Sequence, residues 1–221
     1  MPLTESMGDI CVKQRVLVKC PSINCAILLA TNFVRYCASR TNTGIAVLVD
    51  SDAVKRVVVE LLSELVDEGI VEVIEFSNAS SLRDRYAYCV ITFELRKIPE
   101  NTWLATYVRS GRRALGDAVM CTVVSIDAGK YAMLCRDLNI ACFKFVGERI
   151  AEESCGLEVE ALKVLSSYQR EFGSLTVRDA VNALSLELGI SRDEARRVLG
   201  RLKLMKVIDL KKGFVELKYI V

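Results

Sequence analysis

From residue 157 onward, apolar positions return every three to four residues. Leu157, Ala161, Leu162, Leu165 and Tyr168 predict an amphipathic helix that stops at Phe172-Gly173, where glycine can supply a left-handed cap. Val177, Ala180, Val181, Leu184 and Leu188 predict a second helix, with Ser174 or Thr176 as its N-cap and Gly189 as its stop. Ser191-Arg192-Asp193-Glu194 is a capping box that opens a third helix, whose buried stripe is Ala195, Val198, Leu199 and Leu202. Residues 207–210 and 214–219 then read as two strands around Lys211-Lys212-Gly213.

The first two thirds of the chain alternate differently. Short β-branched runs at residues 15–20 and 45–50 flank an apolar segment of helical length, residues 23–38. Ser51 or Asp52 caps a further helix through residue 68, with Val54, Val57, Val58, Leu61, Leu62 and Leu65 inward; Gly69 and a strand at 71–76 follow. Within residues 80–97, Tyr88–Phe93 could be a strand, but Leu82, Tyr86, Cys89, Val90 and Phe93 match helical spacing, and this segment is expected to be a helix ended by Pro99. A fourth strand at 103–108, a helix from 109 to about 124, and strands at 130–135 and 140–145 complete the pattern. The expectation is an α/β protein: a mostly parallel sheet domain over residues 1–148, a linker at 149–156 and a small helical module at 157–221.

The chain has 221 residues, enough for two domains, and 52% of them are hydrophobic, enough to bury two cores. Apolar runs such as 45–49 fall far short of the roughly 20 residues that span a bilayer, so no membrane segment is expected. Residues 1–6 lack the basic and apolar regions of a secretory signal, which predicts a cytoplasmic protein. The nine cysteines contain no Cys-x-x-Cys pair and histidine is absent, so neither a zinc site nor any other metal or cofactor site is expected. The cysteines read mainly as small buried hydrophobes, with disulfides of the kind found inside hyperthermophile proteins left open. Few glutamines, with many Val, Ile and Arg, fit a thermophile.

Charge is unevenly divided. Residues 157–221 carry 12 basic and 9 acidic groups, and the excess falls in residues 191–218, with nine basic against four acidic. On the third helix, Arg192, Arg196, Arg197 and Arg201 lie off the buried stripe, while Lys211 and Lys212 mark the hairpin tip. A helix fits the major groove, arginine can bind guanine bidentately, and lysines neutralise flanking phosphates. Three short helices, a tight turn before the third and a basic terminal hairpin resemble the winged helix-turn-helix family, which implies double-stranded DNA as partner.

In parallel sheets, ligands bind beyond the carboxyl ends of the strands, where helix N-termini present free amides to anions. Two loops qualify: Cys20-Pro21-Ser22-Ile23-Asn24 after the first strand and Arg109-Ser110-Gly111-Arg112-Arg113 after the fourth. The candidate ligand residues are Ser22, Asn24, Arg109, Ser110, Gly111, Arg112 and Arg113. Together with the downstream module, the chain resembles the archaeal CRISPR-associated transcription regulators, which fuse a CARF domain, a Rossmann-like sensor of cyclic oligoadenylates, to a winged helix. Gly111 and Arg113 fall on the glycine and arginine of that family's Thr/Ser-x-Gly-x-Arg pattern. Arg109 stands at its Thr/Ser position, and residues 20–24 replace its Gly-aromatic pair. The resemblance implies a Rossmann-like sensor domain, a cyclic oligoadenylate ligand and a homodimer through the N-terminal domain.

No catalytic residues are expected. The first strand is not followed by a phosphate-cradling Gly-x-x-x-x-Gly-Lys loop, and without histidine there is no Ser-His or Cys-His pair. Two alternatives remain: a winged-helix scaffold for protein contacts, and a degenerate metal-dependent nuclease using Glu75, Asp84, Glu94 and Lys97.

Overall fold

The protein is described from a computed structural model covering residues 15–41, 43–77, 87–94, 99, 102–109, 118–127, 129–135 and 140–218. It is an α/β protein with a large, mostly parallel sheet. Strands β1 (Val16–Lys19), β2 (Ile45–Val49), β3 (Val71–Glu75), β4 (Ala87–Glu94), β5 (Thr102–Arg109), β6 (Val119–Asp127), β7 (Lys130–Cys135), β8 (Ile140–Val146) and β9 (Arg149–Glu152) form one sheet in the order β3-β2-β4-β5-β1-β6-β7-β8-β9. The first six in this order run parallel to one another. Only two residues separate β6 from β7 and β8 from β9, so each pair returns as an antiparallel hairpin, with Gly129 at φ 74° and Gly147 at φ 59° in the turns.

Two compact units divide the chain. The first comprises residues 1–123 and 144–152, the second residues 124–143 and 153–221. In the first, helix α1 (Ile23–Ala38) starts at N-cap Ser22, whose hydroxyl accepts from the Cys25 amide at 3.2 Å. It carries the chain from β1 to β2 and therefore passes over β5 and β4, against which it packs. Helix α2 (Asp52–Leu61), capped by Ser51, breaks at Leu62 and continues as the short α3 (Ser63–Asp67), where one helix through residue 68 was expected. Val57, expected inward, is exposed.

Two expectations are corrected. Residues 87–94, expected as part of a helix over 80–97, form strand β4, with Tyr88, Cys89, Val90, Ile91 and Thr92 all buried. Leu17, Leu48, Tyr88, Val90, Ala105 and Tyr107 gather on one face of the sheet, while the intervening Val16, Val18, Val47, Cys89 and Ile91 are equally buried. A strand buried on both faces reads as a continuous apolar run, and such a run also satisfies helical spacing. The expected helix from 109 to about 124 is likewise replaced at its end, where residues 119–127 form β6; its first part lies outside the described residues. Residues 149–152, expected as linker, form β9.

The second unit contains α4 (Leu157–Phe172), β10 (Leu175–Thr176), α5 (Val177–Leu188), α6 (Arg192–Leu204), β11 (Ile208–Lys211) and β12 (Phe214–Leu217). Val159, Leu162, Leu165, Ala180, Leu184, Ala195, Val198, Leu202, Ile208 and Val215 share one core with Val124, Ala132, Leu134 and Cys142. A Cys142–Cys155 disulfide, with Cα atoms 5.3 Å apart, joins β8 to the segment leading into α4. Cys121 and Cys135 are also disulfide-bonded, whereas Cys20, Cys25, Cys37 and Cys89 are free and buried.

Candidate nucleic-acid interface

The local signals around α5 and α6 set two helices on either side of a tight turn. Thr176, one of the two expected caps, accepts from the Asp179 amide at 3.1 Å. Gly189 ends α5 at φ 64°, in the left-handed region that favours glycine. Two residues later the Ser191 hydroxyl accepts from the Glu194 amide at 3.2 Å and starts α6. The Ser185 hydroxyl closes the turn by donating to the Ile190 carbonyl at 2.7 Å.

A three-stranded sheet in the order β10-β12-β11 braces the helices. Strand β10 was not expected from the sequence: two residues long, it is defined only by its pairing of Leu175 with Val215 and Thr176 with Phe214. Between β11 and β12, Lys212 and Gly213 form a two-residue turn with φ 49° and 83°. Positive φ at both positions matches a type I′ hairpin, whose twist suits the flanking strands.

Ala195, Val198, Leu199 and Leu202 bury one side of α6, leaving Arg192, Arg196, Arg197, Gly200, Arg201, Lys203 and Leu204 exposed. The expected cations are not equivalent. Arg196 contacts Asp193 at 2.6 Å, one helical turn away, and Arg201 Nε lies 2.5 Å from Glu158 Oε1 on α4. Among the described residues, Arg192 and Arg197 form no ion pair. At the hairpin tip, Lys211 Nζ is 2.7 Å from Glu216 Oε2 and 3.8 Å from Asp209 Oδ2; the Glu216 carboxylate foremost, with Asp209, raises its pKa. Lys212 is exposed at the turn. Of the expected cations, Arg192, Arg197 and Lys212 therefore form no ion pair among the described residues, while Arg196 is held by Asp193 on its own helix and Arg201 by Glu158, far away in sequence.

In the first unit, β1 and β5 are adjacent and parallel, and the Cys20 amide donates to the Tyr107 carbonyl at 2.7 Å. The residues that follow each strand consequently leave from the same edge, which brings Ser22 and Asn24 to the side of the sheet where β5 ends at Arg109. The Ser22 oxygen is engaged in capping α1, Asn24 is exposed, and the Arg109 guanidinium stacks 5.1 Å over the ring of Phe93, an exposed residue that the sequence pointed to only for helical spacing and not as part of the site. Ser110, Gly111, Arg112 and Arg113 lie outside the described residues. The strand order also places β1 between β5 and β6, whereas dinucleotide-binding sheets place it beside β2.

Glu75 and Glu94 end strands that flank β2 on opposite sides, and among the described residues no group of three or more candidate ligands gathers for a metal ion; Asp84 and Lys97 lie outside those residues. No helix among them is long and apolar enough to cross a membrane. A separate groove of about 430 Å³ runs along α4 and α5, lined by Tyr168, Phe172, Leu175, Asn182, Ala183 and Leu186. No protein-family model, curated protein or solved structure matches the chain.

Proposed function

We propose that residues 157–221 are a winged helix-turn-helix that binds double-stranded DNA, and that the protein is a transcription regulator and not an enzyme. The supporting observation is the exposed face of α6, where Arg192 and Arg197 stand unpaired among the described residues. That face follows a three-residue turn from α5 and belongs to the same unit as a hairpin carrying Lys211 and Lys212 at its tip. In this reading α6 enters the major groove, Arg197 and Arg192 contact base edges or phosphates, and Lys212 neutralises a flanking phosphate. Replacing Arg192, Arg196 and Arg197 with Ala should weaken duplex binding and flatten its dependence on log salt by about 0.9 per lost phosphate contact. Unchanged affinity and slope would remove α6 from the interface.

The input side rests on the family resemblance. The N-terminal α/β unit is a Rossmann-like, CARF-type sensor of a small anion, with a cyclic oligoadenylate as the implied ligand, and the protein is a cytoplasmic homodimer through that unit. Calorimetry with cyclic tetra-adenylate on the wild type and on Arg113→Ala tests this, and absence of heat with the wild type would leave the sensor without that ligand. A second reading, a protein-docking scaffold, is favoured by the α4–α5 groove, where Phe172 is 63% and Leu186 75% exposed. Replacing both with Ser and measuring duplex binding separates the two readings, because a docking groove can be lost without affecting DNA.

A further inference from the structure

The Cys142–Cys155 disulfide is attached to the DNA-facing helix by a short mechanical route. Cys155 immediately precedes Gly156, the N-cap of α4, which has no side chain with which to cap the helix. Glu158 lies in the first turn and folds back toward that cap: a Cβ added at Gly156 would meet Glu158 Oε2 at 3.3 Å. Its other carboxylate oxygen holds Arg201 Nε at 2.5 Å, with Glu158 19% and Arg201 48% exposed. On the far side of Cys155, the Glu153 amide donates to the Cys142 carbonyl at 2.9 Å. The start of α4 is thus tied by the disulfide and one backbone bond, beside a Lys130–Glu153 ion pair at 3.5 Å and the buried Val159, and it carries the carboxylate that occupies an arginine of α6.

We propose that Cys142–Cys155 is a thiol-exchangeable latch that regulates duplex binding: closed, it holds Glu158 on Arg201; opened, it releases Arg201 to the DNA. This rests on the DNA-binding reading of α6. Cys155 is partly exposed and Cys142 is buried, so an incoming small thiol meets the Cys155 sulfur first. Its thiolate attacks Cys155, the sulfur–sulfur bond breaks, and Cys142 leaves as a thiolate that takes up a proton. A second thiol then displaces Cys155 from the mixed disulfide. The protein gains two thiols while two small thiols become one small disulfide, so electrons and protons balance. Glu158 provides the link to α6, because loosening the first turn of α4 moves the carboxylate that, among the described residues, pairs with Arg201.

The test compares full-length oxidised protein, the same protein reduced with dithiothreitol, Cys155→Ser and oxidised Glu158→Gln, each titrated with a duplex across a salt series. Cys155→Ser is needed because the reductant also opens the disulfide linkages of Cys121 and Cys135. Reduced protein, Cys155→Ser and Glu158→Gln should all bind about threefold tighter than oxidised wild type, with the salt slope steeper by about 0.9, the contribution of one further phosphate contact. Reduction should have no further effect on Glu158→Gln. Equal affinity and slope for oxidised wild type and Cys155→Ser, with duplex binding intact, would overturn the latch. Absence of duplex binding in every form would instead overturn the DNA-binding reading. Hydrogen exchange at the Val159 and Glu160 amides, which donate to the Gly156 carbonyl, tests the mechanical half separately: faster exchange in Cys155→Ser supports a bridge that holds the first turn of α4, and unchanged exchange overturns the latch whether or not duplex binds.

Discussion

The Asn32 side chain holds the backbone at Ile150: its Oδ1 accepts from the Ile150 amide at 3.1 Å, while its Nδ2 donates to the Glu148 carbonyl at 2.7 Å. A side-chain amide thereby does for the β8–β9 hairpin what a neighbouring strand would do, and it does so from the buried face of α1. Arg35, one turn further along, adds hydrogen bonds to the Leu61 carbonyl and to Glu148. Replacing Asn32 with Leu removes the side-chain partners of the part-buried Ile150 amide and Glu148 carbonyl and should cost about 1 kcal/mol. Urea unfolding of the two proteins measures this, and a loss near zero would mean that the hairpin is held from elsewhere.

Helix α6 ends with its orphan carbonyls satisfied by two backbone bonds, Val207 N–H to Leu202 C=O at 3.2 Å and Lys206 N–H to Lys203 C=O at 2.9 Å. This Schellman arrangement requires a left-handed residue at position 206, and Lys206 takes φ 59° where glycine is the usual occupant. Lys206→Gly should therefore stabilise the protein by about 1 kcal/mol. Thermal unfolding checks the sign, and Lys206→Ala, which keeps the Cβ, should gain little.

The Cys142–Cys155 bridge spans 13 positions of sequence. Closing a loop of that length restricts the unfolded chain by about 3 kcal/mol. Replacing both cysteines with Ser should lower stability by about that amount under non-reducing conditions, measured by denaturant midpoint.

Burial pushes the Cys37 thiol up to about 12 from an ordinary value of 9.0, and burial also raises Cys89, with Cys37 adding to the effect. Raised pKa values favour the fold while the unfolded thiols stay protonated, so this contribution is complete below pH 9 and is lost as pH rises toward 12. Stability should fall through that window, and more shallowly in Cys37→Ala. At pH 8 both thiols should resist a disulfide-exchange reagent in the native protein and react once it is unfolded.

The second unit was the more legible in sequence because its signals are local. Capping serines and threonines, stop glycines and a stripe of period 3.6 act within one or two turns, and α4, α5, α6 and the hairpin lie where those signals put them. Strand β10 escaped notice because two residues carry no periodicity of their own. In the candidate interface, residue type identified the cations but not their availability, since Glu158 is 43 positions from Arg201 in the chain.

Sequence alone determined an α/β chain with six of its parallel-sheet and meander strands near their observed positions, and three helices followed by a basic hairpin, because each depends on contacts among near neighbours. Tertiary structure decided that residues 87–94 and 119–127 are strands, that β1 lies between β5 and β6, and that Arg201 is held by Glu158 while Arg197 forms no ion pair among the described residues. Two physical reasons account for these. Strand β4, buried along its first six residues, loses the alternation that would identify it, and strand order and ion pairing are fixed by partners brought close only when the chain has folded.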